Sequence, residues 1–248
     1  MTPRRRLLAA AVAGLIASLQ GWAAPAGDSA AAVTALRLAT LSERLAKLHV
    51  QAAHGLLPER SRRGIGEAIR EFDAQLKRLR ARPASAEARD NVLLLAILWD
   101  EHRAWVSRPP ARENVRKLAE RTEEVTWLAE KTARLFEGSH SPAIAAQRAA
   151  MLSQRLPRLH LARRAGEEGE RERAAAEEAL RRGLLALMQT AQSTPAALAE
   201  LQLVDNQLQF LVRAAAEREG GTRRLEFIAK AGDHLMESLE RLARLYEG

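Results

Sequence analysis

Residues 40–49 read TLSERLAKLH, and residues 151–160 read MLSQRLPRLH. Two nearly matching ten-residue phrases at a separation of 111 positions indicate an internal repeat. In both phrases the leucines recur with the three- and four-residue spacing of an amphipathic helix. The phrase therefore predicts a helical protein that is built twice from one unit.

Composition supports the same fold class. The chain has 248 residues, of which 47% are hydrophobic and only 4% are aromatic. Alanine, leucine, arginine and glutamate dominate, and these are strong helix formers. No segment shows the alternation of apolar and polar residues that is typical of strands. We therefore expect an all-α fold of two tandem up-down-up-down four-helix bundles from an internal duplication; the alternative is one elongated bundle in which the units share a core.

The match extends beyond the opening phrase. An offset of 111 pairs several further residues: Ile69 with Leu180, Leu76 with Leu187, and Trp99 with Phe210. At the ends, ARLFEG (133–138) matches ARLYEG (243–248) at an offset of 110, which predicts a one-residue gap near residues 108–110. We expect a first four-helix unit over residues 27–138, a linker over 139–143 and a second unit over 144–248.

Short polar residues mark the expected helix starts. Ser85 is placed to cap the third helix, and Ser141 precedes Pro142 at the start of the second unit. Thr194 before Pro195 has the same cap-plus-proline pattern. Pro157 lies inside a predicted helix and is expected to kink or break it, unless the helix restarts there.

The first 26 residues have the pattern of a signal peptide. Three arginines at 4–6 precede an apolar stretch at 7–19, and Ala-Pro-Ala at 24–26 offers a cleavage site near Ala26. The apolar stretch is short for a spanning helix, although an uncleaved anchor is the alternative. We expect export to the periplasm.

The remaining composition argues against an enzyme. The chain has no cysteine, which excludes thiol chemistry, and it shows neither a nucleophile elbow nor a glycine-rich phosphate loop. Its formal net charge is +8, but acids and bases are interleaved along the helices, which is typical of a solvated face. We therefore expect no catalytic residues, no cofactor, no metal site and no nucleic-acid partner.

Polar residues flank the leucine stripe of each first helix. With Leu38 and Leu45 at heptad position a, arginines fall at g, and a serine and a histidine at e. If the two first helices pack together, four guanidinium groups and two hydroxyls converge, an arrangement that suits a planar oxyanion. The candidate ligand-binding residues are Arg37, Ser42, Arg44, Arg148, Ser153 and Arg155.

A structural role is the alternative for these residues. Arginines beside a helical seam commonly bury their stems and pair with neighbouring carboxylates, such as Glu43, Glu67 or Glu71. For His49 and His160 the structural interpretation is favoured.

The repeated pattern R-x-x-x-L-S-x-R-L resembles the first helix of the PilJ-type sensor domain, the N-terminal region of type IV pilus chemotaxis transducers. That domain is related to the sensory domain of NarX-like nitrate/nitrite sensor kinases. The resemblance covers both units. It implies a periplasmic helical bundle that binds a ligand and signals through a membrane. Members of that family typically carry an arginine directly before the M-L-S step, and in the nitrate sensors this arginine grips the anion, whereas Ala39 and Ala150 stand there in this sequence.

Two functions follow as hypotheses. The first is an exported sensor-type protein that binds a small ligand, such as an anion, and acts as an accessory to membrane signal transduction or chemotaxis. The second is a ligand-free interaction module that docks on a pilus component or a membrane receptor. A homodimer is compatible with either function.

Overall fold

The computed structural model describes residues 28–82, 85–138, 141–163, 169–190, 194–216 and 221–247. The described residues are almost entirely helical and contain no strand, so the all-α prediction is confirmed. The predicted signal peptide, residues 1–26, lies outside the described residues. No helix in the described part of the chain has the length and apolar character needed to cross a bilayer.

The helices run in the order α1 (Ser29–Ala53), α2 (Pro58–Arg80), α3 (Ala86–Val106), a 3₁₀ turn (Arg112–Asn114), α4 (Val115–Phe136), α5 (Pro142–Ala162), α6 (Glu170–Met188), α7 (Pro195–Ala216) and α8 (Gly221–Glu247). Helix α1 packs along α2 and α4, and α3 packs against α4 and more loosely against α2. In the same way α5 packs along α6 and α8, and α7 packs against α8 and more loosely against α6. The first helices of the two halves, α1 and α5, also pack extensively on each other.

Helices α1 and α5 lie at the centre of the molecule. Most of their residues are buried, because each packs extensively on three other helices. Both are rich in alanine, and small side chains allow helix axes to approach closely. Ala39 and Ala150, which occupy the arginine place of the resembled family, are fully buried.

The apolar core is continuous between the halves. Ile144 and Met151 of α5 belong to the cluster formed by the first four helices. A separate cluster at one end of the molecule combines residues of both halves, including Val50, Leu161 and Ile228. The two groups of four helices therefore share buried surface.

The helix-start predictions are confirmed in two cases of three. Ser85 Oγ accepts a hydrogen bond of 3.2 Å from the Ala88 N–H, and Thr194 Oγ1 accepts one of 3.2 Å from the Ala197 N–H. Ser141 does occupy the position before Pro142 at the start of α5, but its side chain makes no capping hydrogen bond.

Pro157 does not break α5, which continues from Pro142 to Ala162. Proline has no N–H, so it cannot donate to the Ser153 carbonyl one turn earlier. Gly232 of α8 lies directly against this place: a Cβ on Gly232 would come within 2.4 Å of Pro157 Cγ and 3.1 Å of the Ser153 carbonyl oxygen. The missing side chain allows α8 to approach the proline ring.

Trp99 and Phe210, which the offset of 111 pairs, lie in different environments. Trp99 is 2% exposed and stacks on Phe72 with ring centroids 3.7 Å apart, whereas Phe210 is 59% exposed. Leu208 of α7, which follows Trp99 by 109 positions, is fully buried. The two confirmed caps, Ser85 and Thr194, have the same separation of 109.

Candidate functional site

Helices α1 and α5 contact each other side by side and run in the same direction. Gln147 Nε2 donates a hydrogen bond of 3.0 Å to Thr40 Oγ1, and further along both helices Arg158 Nε donates one of 2.7 Å to Glu43. The packing of the two first helices, the condition for a shared site, is therefore met. The candidate side chains nevertheless reach different partners.

Arg37 lies between α2 and α8. Its guanidinium contacts Glu71 at 2.7 Å and also pairs with Glu240. Burial lowers the pKa of Arg37 from its ordinary value, and the charge of Glu71 offsets only part of that effect. The Arg37 side chain is only 13% exposed, yet it lines a cavity.

That cavity has a volume of about 640 Å³ and opens between α1, α2 and α8. Its apolar wall includes Val33 and Ala243, and Gln147 of α5 contributes an amide. The charged residues of its lining are Arg37, Glu71, Arg78, Arg82, Glu240, Arg244 and Glu247. Arg78 and Arg244 are exposed and are in no ion pair with a described residue, so the cavity offers two guanidinium groups to a ligand.

Arg155 belongs to an ionic cluster that joins α1, α4 and α5. It pairs with Glu43 at 2.9 Å and with Glu123 of α4. Arg158 holds the same two carboxylates at 2.7 and 2.6 Å. Burial alone lowers the pKa of Arg158, but the charges of Glu43 and Glu123 outweigh it and raise that pKa.

A second ionic cluster joins α1 to α8. Lys47, whose side chain is 0% exposed, donates to Asp233, and Arg60 Nη2 lies 3.3 Å from the other carboxylate oxygen. Burial raises the pKa of Asp233, but the adjacent Lys47 outweighs it and holds the pKa below its usual range. Burial lowers the pKa of Lys47 itself.

Arg44 lies close to this second cluster, and its charge contributes to the lowered pKa of Asp233. Its Nε is buried and makes no hydrogen bond. Arg148, the last of the four candidate arginines, contacts Glu137 at 2.6 Å. The four guanidinium groups thus face separate sets of carboxylates, and of the candidates Arg37 is the one that lines the cavity.

The two candidate hydroxyls are internal. Ser42 Oγ lies 3.5 Å from His102 Nε2, and Ser153 Oγ donates to the Ala150 carbonyl at 2.7 Å. Both serines are fully buried. Burial, followed by the charges of His49 and Arg121, lowers the pKa of His102 to about 3, so this imidazole is neutral at pH 7.

Sequence reasoning missed Lys47, Glu123, Arg158 and Asp233. A signal for them exists in the repeat: Lys47 and Arg158 are 111 positions apart, and Glu123 and Asp233 are 110 apart. The separation of 111 is that of the repeated phrase in α1 and α5, and the separation of 110 is that of the matching ends of α4 and α8. Lys47 of the first half pairs with Asp233 of the second, and Arg158 of the second half pairs with Glu123 of the first.

No cluster of three or more histidine or acidic residues that could hold a metal ion occurs within the described ranges. Comparison of the chain with family models, with curated proteins and with solved structures finds no match.

Proposed function

We propose that the protein is a sensor-type helical bundle that binds a small anionic ligand in the cavity beside Arg37. The observation that carries the proposal is the position of this cavity, which is lined by α1 and α2 of the first half and by α5 and α8 of the second. A ligand held there contacts both halves of the chain. Its binding therefore favours one relative placement of the halves, as signalling requires.

We also propose that the chain consists of two tandem copies of one four-helix unit. Both halves have the same order of neighbours, with the first helix packed on the second and fourth. The cross-pairs Lys47–Asp233 and Arg158–Glu123 are related by the repeat. This arrangement brings the two first helices together, as the resemblance to PilJ-type sensor domains implies, but within a single chain.

The ligand class follows from the cavity lining. Arg37 is already neutralised by Glu71 and Glu240, so the guanidinium groups open to a new anion are those of Arg78 and Arg244. Guanidinium forks bind carboxylates bidentately. The apolar wall suits a short hydrocarbon body, which favours a small carboxylate over nitrate. The fully buried Ala39 and Ala150 also argue against nitrate as the ligand. They stand where the nitrate sensors have the arginine that binds the anion, so no guanidinium group is present there.

Calorimetric titration with acetate, succinate, nitrate and nitrite tests the proposal. We expect a small carboxylate to bind and an Arg78→Gln/Arg244→Gln variant to lose the binding without a change in its melting temperature, since both side chains are exposed. Arg116→Gln is the matched control, because Arg116 is 83% exposed and lies on α4, away from the cavity. If no anion produces heat or raises the melting temperature, the proposal is wrong.

The ligand-free interaction module is the second candidate function. It is favoured by the exposed apolar residues Leu93, Leu94 and Ile97, which lie within one turn of each other on α3. Such a patch on a small protein commonly marks a contact surface. A pull-down in which Ile97→Lys abolishes capture of a pilus or receptor component, in the absence of any ligand binding, is the result that this function predicts.

A further inference from the structure

Helix α1 runs antiparallel to both α2 and α8 beside the Arg37 cavity. As α1 proceeds, its ion pairs reach earlier positions of each neighbouring segment: Asp28–Arg82 and Arg37–Glu71 on the α2 side, and Arg37–Glu240 and Lys47–Asp233 on the α8 side. The residues that line the cavity are therefore ordered along the helices. One end lies at Arg37. The other, the Arg78 end, is formed by the first turns of α1 and the last turns of α2 and α8.

The Arg37 end has more carboxylate than guanidinium groups. Its single guanidinium group, that of Arg37, is shared between Glu71, at 2.7 Å, and Glu240. The Glu71 side chain is 33% exposed, so its carboxylate is accessible from the cavity. The next charged residues of the lining are Arg244 on α8 and Arg78 on α2, which lie one and two turns further along. A positively charged group of a ligand is therefore favoured at the Arg37 end, because it balances the second carboxylate.

The Arg78 end has the opposite balance. The charged residues of its lining are Arg78, Arg82, Arg244 and Glu247. Arg82 pairs with Asp28, with 3.5 Å between Nη1 and Oδ2. Arg78 and Arg244 have no carboxylate of a described residue within ion-pair distance, that of Glu247 included. Three guanidinium groups thus face two carboxylates at this end, which favours a negatively charged group of a ligand.

We propose that the ligand of the Arg37 cavity is a zwitterionic amino acid, bound with its ammonium group at the Arg37 end and its carboxylate at the Arg78 end. This inference rests on the proposed function, to which it adds a second contact of opposite charge. Glu71 and Arg78 are seven residues apart on α2, which is about 10 Å along the helix axis. An amino acid whose charged groups are separated by several methylene groups therefore fits better than an α-amino acid, and Val33 and Ala243 supply apolar surface for its hydrocarbon chain.

Titration calorimetry of the unaltered protein, at neutral pH and constant ionic strength, compares three ligands with the same four-carbon body: butyrate, 4-aminobutyrate and 2-aminobutyrate. We expect 4-aminobutyrate to bind about tenfold more tightly than butyrate, because its ammonium group adds charge-assisted hydrogen bonds to Glu71 and Glu240. We expect 2-aminobutyrate, whose ammonium group lies beside its carboxylate, to gain no such advantage. The Arg78→Gln/Arg244→Gln variant should lose the binding of 4-aminobutyrate.

Glu71→Gln tests the contact from the side of the protein. It should bring the affinity for 4-aminobutyrate close to that for butyrate, because the Arg37 end then holds one carboxylate for one guanidinium group. Glu67→Gln is the matched control: Glu67 is exposed on the same helix, one turn before Glu71, and lies outside the cavity lining. It should keep the full preference for 4-aminobutyrate. A preference that survives Glu71→Gln, or that is lost in Glu67→Gln, would overturn the inference.

The comparison of ligands on the unaltered protein does not depend on the folding of variants, and it separates this inference from the proposed function. If butyrate binds as tightly as 4-aminobutyrate, or if 2-aminobutyrate does, the inference is wrong and the anion site remains. Absence of binding by all three ligands would also overturn the inference. The failure of acetate, succinate, nitrate and nitrite as well would overturn the proposed function with it.

Discussion

At the scale of single residues, Gly232 of α8 tests how closely the helices are packed. A methyl group at this position would come within 2.4 Å of Pro157 Cγ, and a proline ring cannot turn aside. We expect Gly232→Ala to lower the free energy of unfolding by about 2–3 kcal/mol in urea denaturation, in the range found for overpacked cores.

Two controls accompany this variant. Gly183 lies inside α6 with no atom within 4 Å of an added Cβ, so Gly183→Ala should instead stabilise by about 0.5–1 kcal/mol. Pro157→Ala combined with Gly232→Ala should recover most of the loss. At the separations of the repeat, Pro157 corresponds to Ala46 and Gly232 corresponds to Thr122. In the first half a smaller residue than proline therefore accompanies a larger residue than glycine. A double variant as unstable as Gly232→Ala would show that the ring is not the obstacle.

His102 connects stability to pH. Its folded-state pKa of about 3 lies below the ordinary value of 6.5, so between these values the unfolded chain binds more protons. The contribution of neutral His102 to the free energy of unfolding should therefore be complete above pH 6.5 and should be lost as the pH falls toward 3. His102→Gln should flatten this acid limb in denaturation series. His234→Gln, at a side chain 58% exposed, should leave the slope unchanged, and the same slope for both variants would contradict the assignment.

The sequence predicts which residues flank the helical seam but not what they contact. Arg37, Arg148 and Arg155 are repeated at the same heptad places, yet Arg37 reaches Glu240 and Arg155 reaches Glu123, partners far away along the chain. Such pairings depend on how whole helices are placed, which local spacing does not encode. The burial of Lys47 is a result of the same kind, because a lysine at heptad position c, away from the leucine seam, is normally exposed.

At the scale of helices, the N-terminal caps give a matched comparison. Ser85 and Ser141 both precede the first residue of a helix, but only Ser85 accepts a capping hydrogen bond. Ser85→Ala should destabilise the protein by about 1 kcal/mol. Ser141→Ala should change the free energy of unfolding by only a few tenths of that, since surface substitutions without such a contact have small effects. Equal effects in thermal or urea denaturation would mean that the observed cap bond contributes nothing.

Helix type and approximate bounds follow from the sequence, whereas the register between the halves does not. The leucine spacing predicts each helix, and Ser85 and Thr194 mark two starts correctly. A single offset of 111 nevertheless pairs buried Trp99 with exposed Phe210, whereas the two caps Ser85 and Thr194 are 109 positions apart. Local apolar periodicity tolerates such a shift, and only packing on the neighbouring helices decides it.

At the scale of the whole molecule, charge pairs and apolar contacts join the two halves. Lys47 of α1 reaches Asp233 of α8, and Arg158 of α5 reaches Glu123 of α4, so each central helix pairs with the last helix of the opposite half. The shared apolar clusters lie beside these pairs. Neither half can therefore unfold without exposing buried charge in the other, and we expect one cooperative transition.

Lys47→Met tests this coupling. It leaves the buried Asp233 carboxylate with the half-exposed Arg60 as its remaining ion-pair partner, and the loss of one partner of a buried pair costs about 3–5 kcal/mol. The entire unfolding transition should shift, in calorimetry as in circular dichroism. Adding Asp233→Leu should restore much of the stability, because an apolar pair replaces the lone charge.

Arg62→Met, which breaks the exposed Arg62–Glu59 pair, should cost at most about 1 kcal/mol. A Lys47→Met protein that unfolds in two steps, with only one of them displaced, would show that the halves are independent.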